Sequence, residues 1–304
     1  MFKKISQQYK NGGVTTFLML LPTIILFFAI SVYPFFWIFK YVFYNYDGFN
    51  AYFVGFDNFI KLFTRDSVYW LSVIHTFEYT VYKLIFTIPL ALLAAIIVNN
   101  KMKGHNFFRI TFFLPTVVST AVYSMIFYFI FSAYNGILNA YLMDWGMLNK
   151  PIDWLGSAKY AMKSVVVVAI WGGFGNYMIL FLAGLQSISA DVYESSKMDG
   201  ANSIQNFKYI TIPMLGPILK IILMLAITTA LKDYESIMVL TNGGPQNRTK
   251  VMFLYIYELM FGTQTGFSAQ QIGYGAAASL ISAIIIGIIT VIYLKTSKKL
   301  DDVY

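Results

Sequence analysis

The chain has 304 residues, of which 58% are hydrophobic and 12% charged, with no cysteine and a formal net charge of +8. Soluble domains average about 45–50% apolar and about 25% charged, so a soluble globular enzyme is excluded, and a disordered chain more firmly. What remains is a polytopic membrane protein. Without cysteine, and with only His75 and His105 as histidines, there is no disulfide framework, no thiolate nucleophile and little material for a metal site.

Six spans follow in chain order. A membrane helix needs about 20 mostly apolar residues. The first lies at roughly 15–39, between Lys10 and Lys40, with Pro22 and Pro34 inside it. Its charge-free run is longer than the apolar region of a secretory signal, and no small-residue cleavage site follows, so it is read as a retained helix. The second contains the uncharged run 84–100 and begins near Ser72. The third is expected at 107–132, the fourth at 163–186 and the sixth at 272–294. The fifth is anomalous. Only 221–231 is uncharged, about 16 Å of helix at about 1.5 Å per residue, too short to cross. That span must extend past Lys220 at one end and past Lys232, Asp233 and Glu235 at the other.

Lys and Arg set the orientation. With a cytoplasmic N-terminus, the cytoplasmic side carries 12 cations (Lys3, Lys4, Lys10, Lys101, Lys103, Arg109, Lys197, Lys208, Lys220, Lys295, Lys298, Lys299). Five acids, Asp191, Glu194, Asp199, Asp301 and Asp302, oppose them. Nearly all of the +8 then sits on one face, and both termini are placed in the cytoplasm.

The loop between the fourth and fifth spans, 187–213, is unlike a membrane linker. Ser189 is a candidate helix cap with Asp191 and Glu194 in the first turn. Gly200 should end that helix, and Ala201, Ile204, Phe207 and Lys208 suggest a second amphipathic turn. One reading is a helix lying on lipid; the other is a docking elbow. The spacing of Glu194, Gly200, Ile210 and Pro213 resembles the EAA loop of bacterial ABC importer permeases, whose pattern is Glu-Ala-Ala, three residues, Gly, nine residues, Ile, one residue, Leu-Pro. Ser195 and Ser196 stand for the alanines and Ile212 for the leucine. The stretch from Trp171 through Asn176 to Leu182-Ala-Gly-Leu-Gln186, the phrase Leu240-Thr-Asn-Gly-Gly-Pro245, and Gly55-Phe-Asp-Asn58-Phe are similar to sugar-type permeases, so the likeness runs from about residue 20 to 294.

The resemblance implies an all-α bundle of six transmembrane helices, N-in and C-in, with the MetI-like transmembrane fold of type I ABC importers. It implies an N-terminal tail, span and external loop over 1–70, a core over 71–295 and a tail over 296–304. It implies an inner-membrane permease subunit importing a carbohydrate, of di- or oligosaccharide size. The partners would be a second, similar permease, a dimer of ATPases and an extracellular solute-binding protein, with membrane lipid around them and no nucleic acid. The elbow would fit the ATPase through Glu194, Ser195, Ser196, Asp199, Gly200 and Ala201, with Gly200 allowing a tight bend that a side chain would obstruct. No cofactor is expected in this chain, and ATP and Mg would sit on the partner. The sequence agrees, since it holds no G-x-x-x-x-G-K-[ST] and no Gly-Lys pair. The chain is not expected to be an enzyme.

Charges at membrane depth mark solute-path candidates. Thr229, Lys232, Asp233 and Tyr234 are one group, and Asn176 and Tyr177 another. For the first, a salt-bridged helix end with Lys232 at the interface is the competing reading. For Gly172–Gly175, helix packing is favoured. His75, Glu78, Tyr79, Tyr82 and Lys83 share about one face and are read as an outer cap, or as path lining. Gly275, Ser279, Ala283 and Gly287 form a small-residue packing stripe. Importers of a non-sugar solute such as glycerol phosphate, and less readily a proton-coupled secondary transporter, are the alternatives.

Overall fold

The structure, a computed structural model, describes residues 13–99, 104–262 and 270–300. Lys3, Lys4, Lys10, Lys101, Lys103, Asp301 and Asp302, which carry part of the charge asymmetry, lie outside them. The described chain is mostly helical, as lipid requires, because a helix satisfies its own backbone polar groups. It forms two compact units, one from residues up to Arg65 with Ile256–Leu280, the other from Asp66–Tyr255 with the residues from Ile281 onward.

The first unit opens with a continuous span, Gly13–Phe43. It is built from α1 (Gly13–Phe27), a π-turn (Phe28–Val32), α2 (Tyr33–Lys40) and one 3-10 turn (Tyr41–Phe43). No side chain from Gly13 to Lys40 is buried. A short antiparallel hairpin follows, β1 (Tyr44–Tyr46) and β2 (Ala51–Phe53), and then α3 (Asp57–Thr64). Asn58 fastens α3 to the end of the span, donating from Nδ2 to the Val42 and Tyr44 carbonyls at 2.9 and 3.0 Å.

The second unit is organised on α8 (Ala161–Ser187), whose buried residues lie on all sides, as expected of a helix apolar all round. Against it pack α4 (Ser67–Asn99), α5 (His105–Val117) and α12 (Gly216–Leu231). Two apolar clusters result, one around Tyr79, Met162, Val165 and Ile237, the other around Ala91, Met178, Leu215 and Ile222. Small residues permit these approaches. A Cβ on Gly175 would lie 2.5 Å from the Phe112 carbonyl oxygen, whereas one on Gly173 would meet nothing within 4 Å. Gly175→Ala should therefore destabilise the bundle by about 1–3 kcal/mol. Gly173→Ala should be neutral or stabilising by up to about 1 kcal/mol. Thermal unfolding of the two purified variants checks the contrast.

Three sequence expectations are revised. The third span is two helices, α5 and α6 (Thr120–Ile130), bent by 96°. The break falls at Val118–Ser119, within Pro115-Thr-Val-Val-Ser-Thr, a run of β-branched and hydroxyl residues that form helix poorly. The fifth passes Lys220, back to Gly216, and runs past Lys232, Asp233 and Glu235 to Leu240 as expected, but not as one unbroken helix: α12 stops at Leu231, Lys232–Tyr234 interrupt it, and α13 (Glu235–Leu240) resumes it. In the last long helix, Ile272–Thr296, only Gly275 of the predicted stripe is buried in packing, against Met260, while Ala283 and Gly287 are exposed. Ser282, off that stripe, is buried and hydrogen-bonded to Tyr69 at 2.9 Å.

Candidate functional site

Two sites emerge from the second unit. The first is the elbow. Ser189 has extended backbone, and its hydroxyl accepts from the Asp191 amide at 3.3 Å, starting α9 (Ala190–Met198). The helix ends in a Schellman motif. The Gly200 N–H donates to the Lys197 carbonyl at 3.1 Å and the Ala201 N–H to the Ser196 carbonyl at 2.9 Å. Gly200 takes φ +82°, a conformation disfavoured for any residue with a Cβ. Space is not the constraint, because a Cβ there would meet nothing within 4 Å in this chain. The expectation that a side chain would obstruct the bend is thus corrected: the backbone conformation requires glycine.

Asn202 then caps α10 (Ser203–Asn206) in a capping box with Gln205, with bonds of 2.8 and 2.9 Å. The Tyr193 hydroxyl meets Thr211 Oγ1 at 3.1 Å, tying α9 to the returning chain. Ser196 is buried and donates to the Tyr193 carbonyl. Glu194, Ser195, Asp199 and Gly200 are exposed and Ala201 is half-buried. Asp199, Gly200, Ala201, Gln205 and Tyr209 wall a shallow cleft of about 260 Å³. Beside it Met198 and Ile204 are 89% and 77% exposed. Large apolar side chains displayed on a well-capped polar elbow are the mark of an interaction surface.

The second site is polar and lies among the long helices. Asp233, in the break between α12 and α13, accepts from Lys83 Nζ at 2.6 Å and from the Tyr79 hydroxyl at 2.5 Å. The Lys83 and Asp233 side chains are 11% and 18% exposed. One turn before the break, Thr229 Oγ1 lies 2.9 Å from the Tyr177 hydroxyl of α8. Asn176 is exposed beside it. Lys232 is exposed and forms the helix C-cap, so the cation beside Asp233 in sequence is not its partner in space. Tyr234 packs against the apolar cluster around Tyr79. The structure therefore joins Asp233, and separately Thr229 with Tyr177, to residues of other helices, packs Tyr234 against the cluster that holds Tyr79, and places Lys232 at the exposed end of α12.

Sequence reading placed Tyr79 and Lys83 in an outer cap or along the path, without a partner. Their four-residue spacing with His75 was the available signal, but a partner 150 positions away could not be read from one sequence.

The same helix holds the loop after α13. Arg248 donates both guanidinium nitrogens to Glu78 at 2.7 and 2.8 Å, which raises the Arg248 pKa above its ordinary value. Thr76 Oγ1 accepts from the Met252 amide at 2.8 Å. Across the Thr241–Lys250 segment, Asn242, Gly243, Gln246 and Asn247 have positive φ and Gly244–Pro245 is cis. Among the described residues no cluster of His and carboxylate side chains could hold a metal ion.

A mostly helical bundle with, among the described residues, four apolar helices long enough to cross, or six when each bent pair counts as one, and a capped elbow between two of them define a multi-pass membrane transport component. The chain belongs to the family of binding-protein-dependent transport system inner membrane components, which it matches over residues 87–300. It is similar to the multiple sugar-binding transport system permease MsmF of Streptococcus mutans, 35% identical, covering 86% of this chain and 87% of the relative. It is 31% identical to the probable ABC transporter permease YesP of Bacillus subtilis, covering 97% and 94%. The arabinooligosaccharides transport system permease AraP of B. subtilis is 32% identical, over 91% and 86%. Its fold matches a chain of a bacterial ABC transporter that imports the acidic polysaccharide alginate, with a TM-score of 0.83 at 23% identity and 98% of each chain covered. The fold is the MetI-like one, and the protein is an integral component of the bacterial cell membrane.

Proposed function

We propose that this chain is one permease of an ATP-driven importer, that its solute is a carbohydrate of di- or oligosaccharide size, and that the elbow at 187–213 transmits the work of a cytoplasmic ATPase. The observation that carries this is the elbow: a doubly capped turn presenting exposed Met198, Ile204 and Glu194, with a shallow cleft at Asp199–Ala201. Its rigidity suits a part that is pushed, since motion of a fixed elbow rocks the helices attached to it. ATP and Mg belong to the partner in this reading, and the chain itself catalyses nothing. A second permease supplies the other half of the path, and an extracellular binding protein delivers the solute. Both termini and the elbow share the cytoplasmic side.

The carbohydrate assignment draws on the relatives, whose names specify multiple sugars and arabinooligosaccharides. Charge supports it as well. Lys83 is neutralised by Asp233, leaving hydroxyls and amides at Tyr177, Thr229 and Asn176 to meet sugar hydroxyls.

Reconstitution with the partner subunits in liposomes tests the reading. ATP-dependent accumulation of a labelled neutral oligosaccharide is expected, with none of glycerol phosphate. Asn176→Ala and Thr229→Val should lower that uptake several-fold while the complex still assembles. Unchanged uptake in both would remove these residues from the path.

A further inference from the structure

We propose that α3 and the hairpin before it form an amphipathic platform lying in the membrane interface at the far end of the first span, with lipid as its partner. Three faces of α3 are distinct. Asn58 and Leu62 are buried against the unit. Asp57, Lys61 and Arg65 line a polar cleft of about 650 Å³, together with Asn45 and Gln271, and Ile60 stands at its margin, where this face meets the third. There Lys61 donates to Gln271 Oε1 at 3.3 Å and sits 4.1 Å over the Tyr274 ring. The third face is apolar and uncovered: Phe56, Ile60 and Phe63 are 67%, 54% and 55% exposed. In an eight-residue helix, water-facing groups on one side and uncovered aromatics on another would be costly in bulk water.

The hairpin continues this surface. Asp47 Oδ1 accepts from the Phe49 and Asn50 amides at 2.9 and 2.6 Å, which fixes the turn and holds the Asp47 carboxyl below the usual carboxylate range, the Asn50 amide contributing most. That turn displays Phe49, 94% exposed, with Tyr52 and Phe53 exposed behind it.

Lipid is the occupant because the surface is continuous with one already in lipid. Phe35, Phe36 and Phe39 of the span are exposed, the span ends at Phe43, and the Phe43 ring lies 5.4 Å from Phe56. Lys40 reaches the Tyr41 and Tyr44 rings at 5.7 and 5.8 Å, the cation-and-aromatic grouping that marks a membrane boundary. Interfacial helices bury an apolar face about 5–10 Å into the headgroup boundary and keep the polar face wet. This inference needs only that the span crosses, and it stands whatever the solute is.

The absence of cysteine makes the test clean. Single cysteines at Ile60, Phe63, Asp57 and Lys61 are spin-labelled in the assembled importer, its other subunits cleared of reactive cysteine, in phosphatidylethanolamine/phosphatidylglycerol liposomes. Collision with lipid-soluble oxygen is compared with collision with a water-soluble nickel chelate. The oxygen-to-nickel ratio should be several-fold higher at Ile60 and Phe63 than at Asp57 and Lys61. Equal ratios at all four would overturn the proposal. So would labels at Ile60 and Phe63 immobilised and shielded from both reagents, which would mean a protein partner covers the face. Size-exclusion of each labelled complex confirms assembly, and Phe56 on the same face replaces any position that fails.

Discussion

Gly200→Val should uncouple the importer: the ATPase should no longer co-purify with the permeases, and uptake should fall at least about tenfold. Gly200 closes the Schellman motif at φ +82°. A residue with a Cβ is disfavoured there by about 1–2 kcal/mol, and a β-branched one more. A penalty of about 1.4 kcal/mol is already a factor of about ten in any equilibrium that needs the closed elbow. Asn enters the left-handed region readily. Because a Cβ would meet nothing within 4 Å in this chain, Gly200→Asn should fold the elbow and keep most of the uptake. If Asn fails as badly as Val, the space above Gly200 is filled by the ATPase, and steric fit is the requirement. Wild-type assembly and uptake in the Val variant would reject the docking role of the elbow.

Asp233→Ala should be the most destabilising single change in the bundle. It strands the Lys83 ammonium and the Tyr79 hydroxyl among helices, with both pair members mostly buried. Breaking such a pair costs about 3–5 kcal/mol, because a charge is left without a counter-ion. Replacing both partners with apolar groups, Lys83→Met with Asp233→Leu, should restore part of the loss, since a paired buried charge is worth little over a well-packed apolar pair, and adding Tyr79→Phe should restore most of the rest by removing the hydroxyl left without a partner. Thermal denaturation of the purified complex reads both outcomes. A single variant as stable as the parent would show that the pair holds nothing. The double variant separates structure from transport. If it is stable but inactive, Asp233 or Lys83 serves the path; if it is stable and active, the pair is a fastening between α4 and the break after α12.

Particular residues show how far the sequence could be read. The charge-free runs placed the spans because lipid tolerates no unpaired charge, and that constraint acts on composition alone. The elbow was legible for a similar reason. Its first cap is local, since Ser189 bonds two residues on; the capping box of Asn202 and Gln205, three apart, is just as local but appeared only in the structure. The bend within the third span was missed because charge counting is blind to backbone preference, although the β-branched run Thr116-Val117-Val118 carried the signal. The small-residue stripe of the last helix failed because spacing defines a face without saying what comes to meet it.

The sequence by itself thus determined the class of protein, the capped elbow and the anomaly at Lys232–Glu235. These depend on the solvent and on neighbours within about one turn. Only the tertiary structure decided what the anomaly is: Asp233 turns away from Lys232 and is held by Lys83 and Tyr79, 150 or more positions earlier. Such a pairing is set by which helices pack together, and no local rule along one chain encodes that.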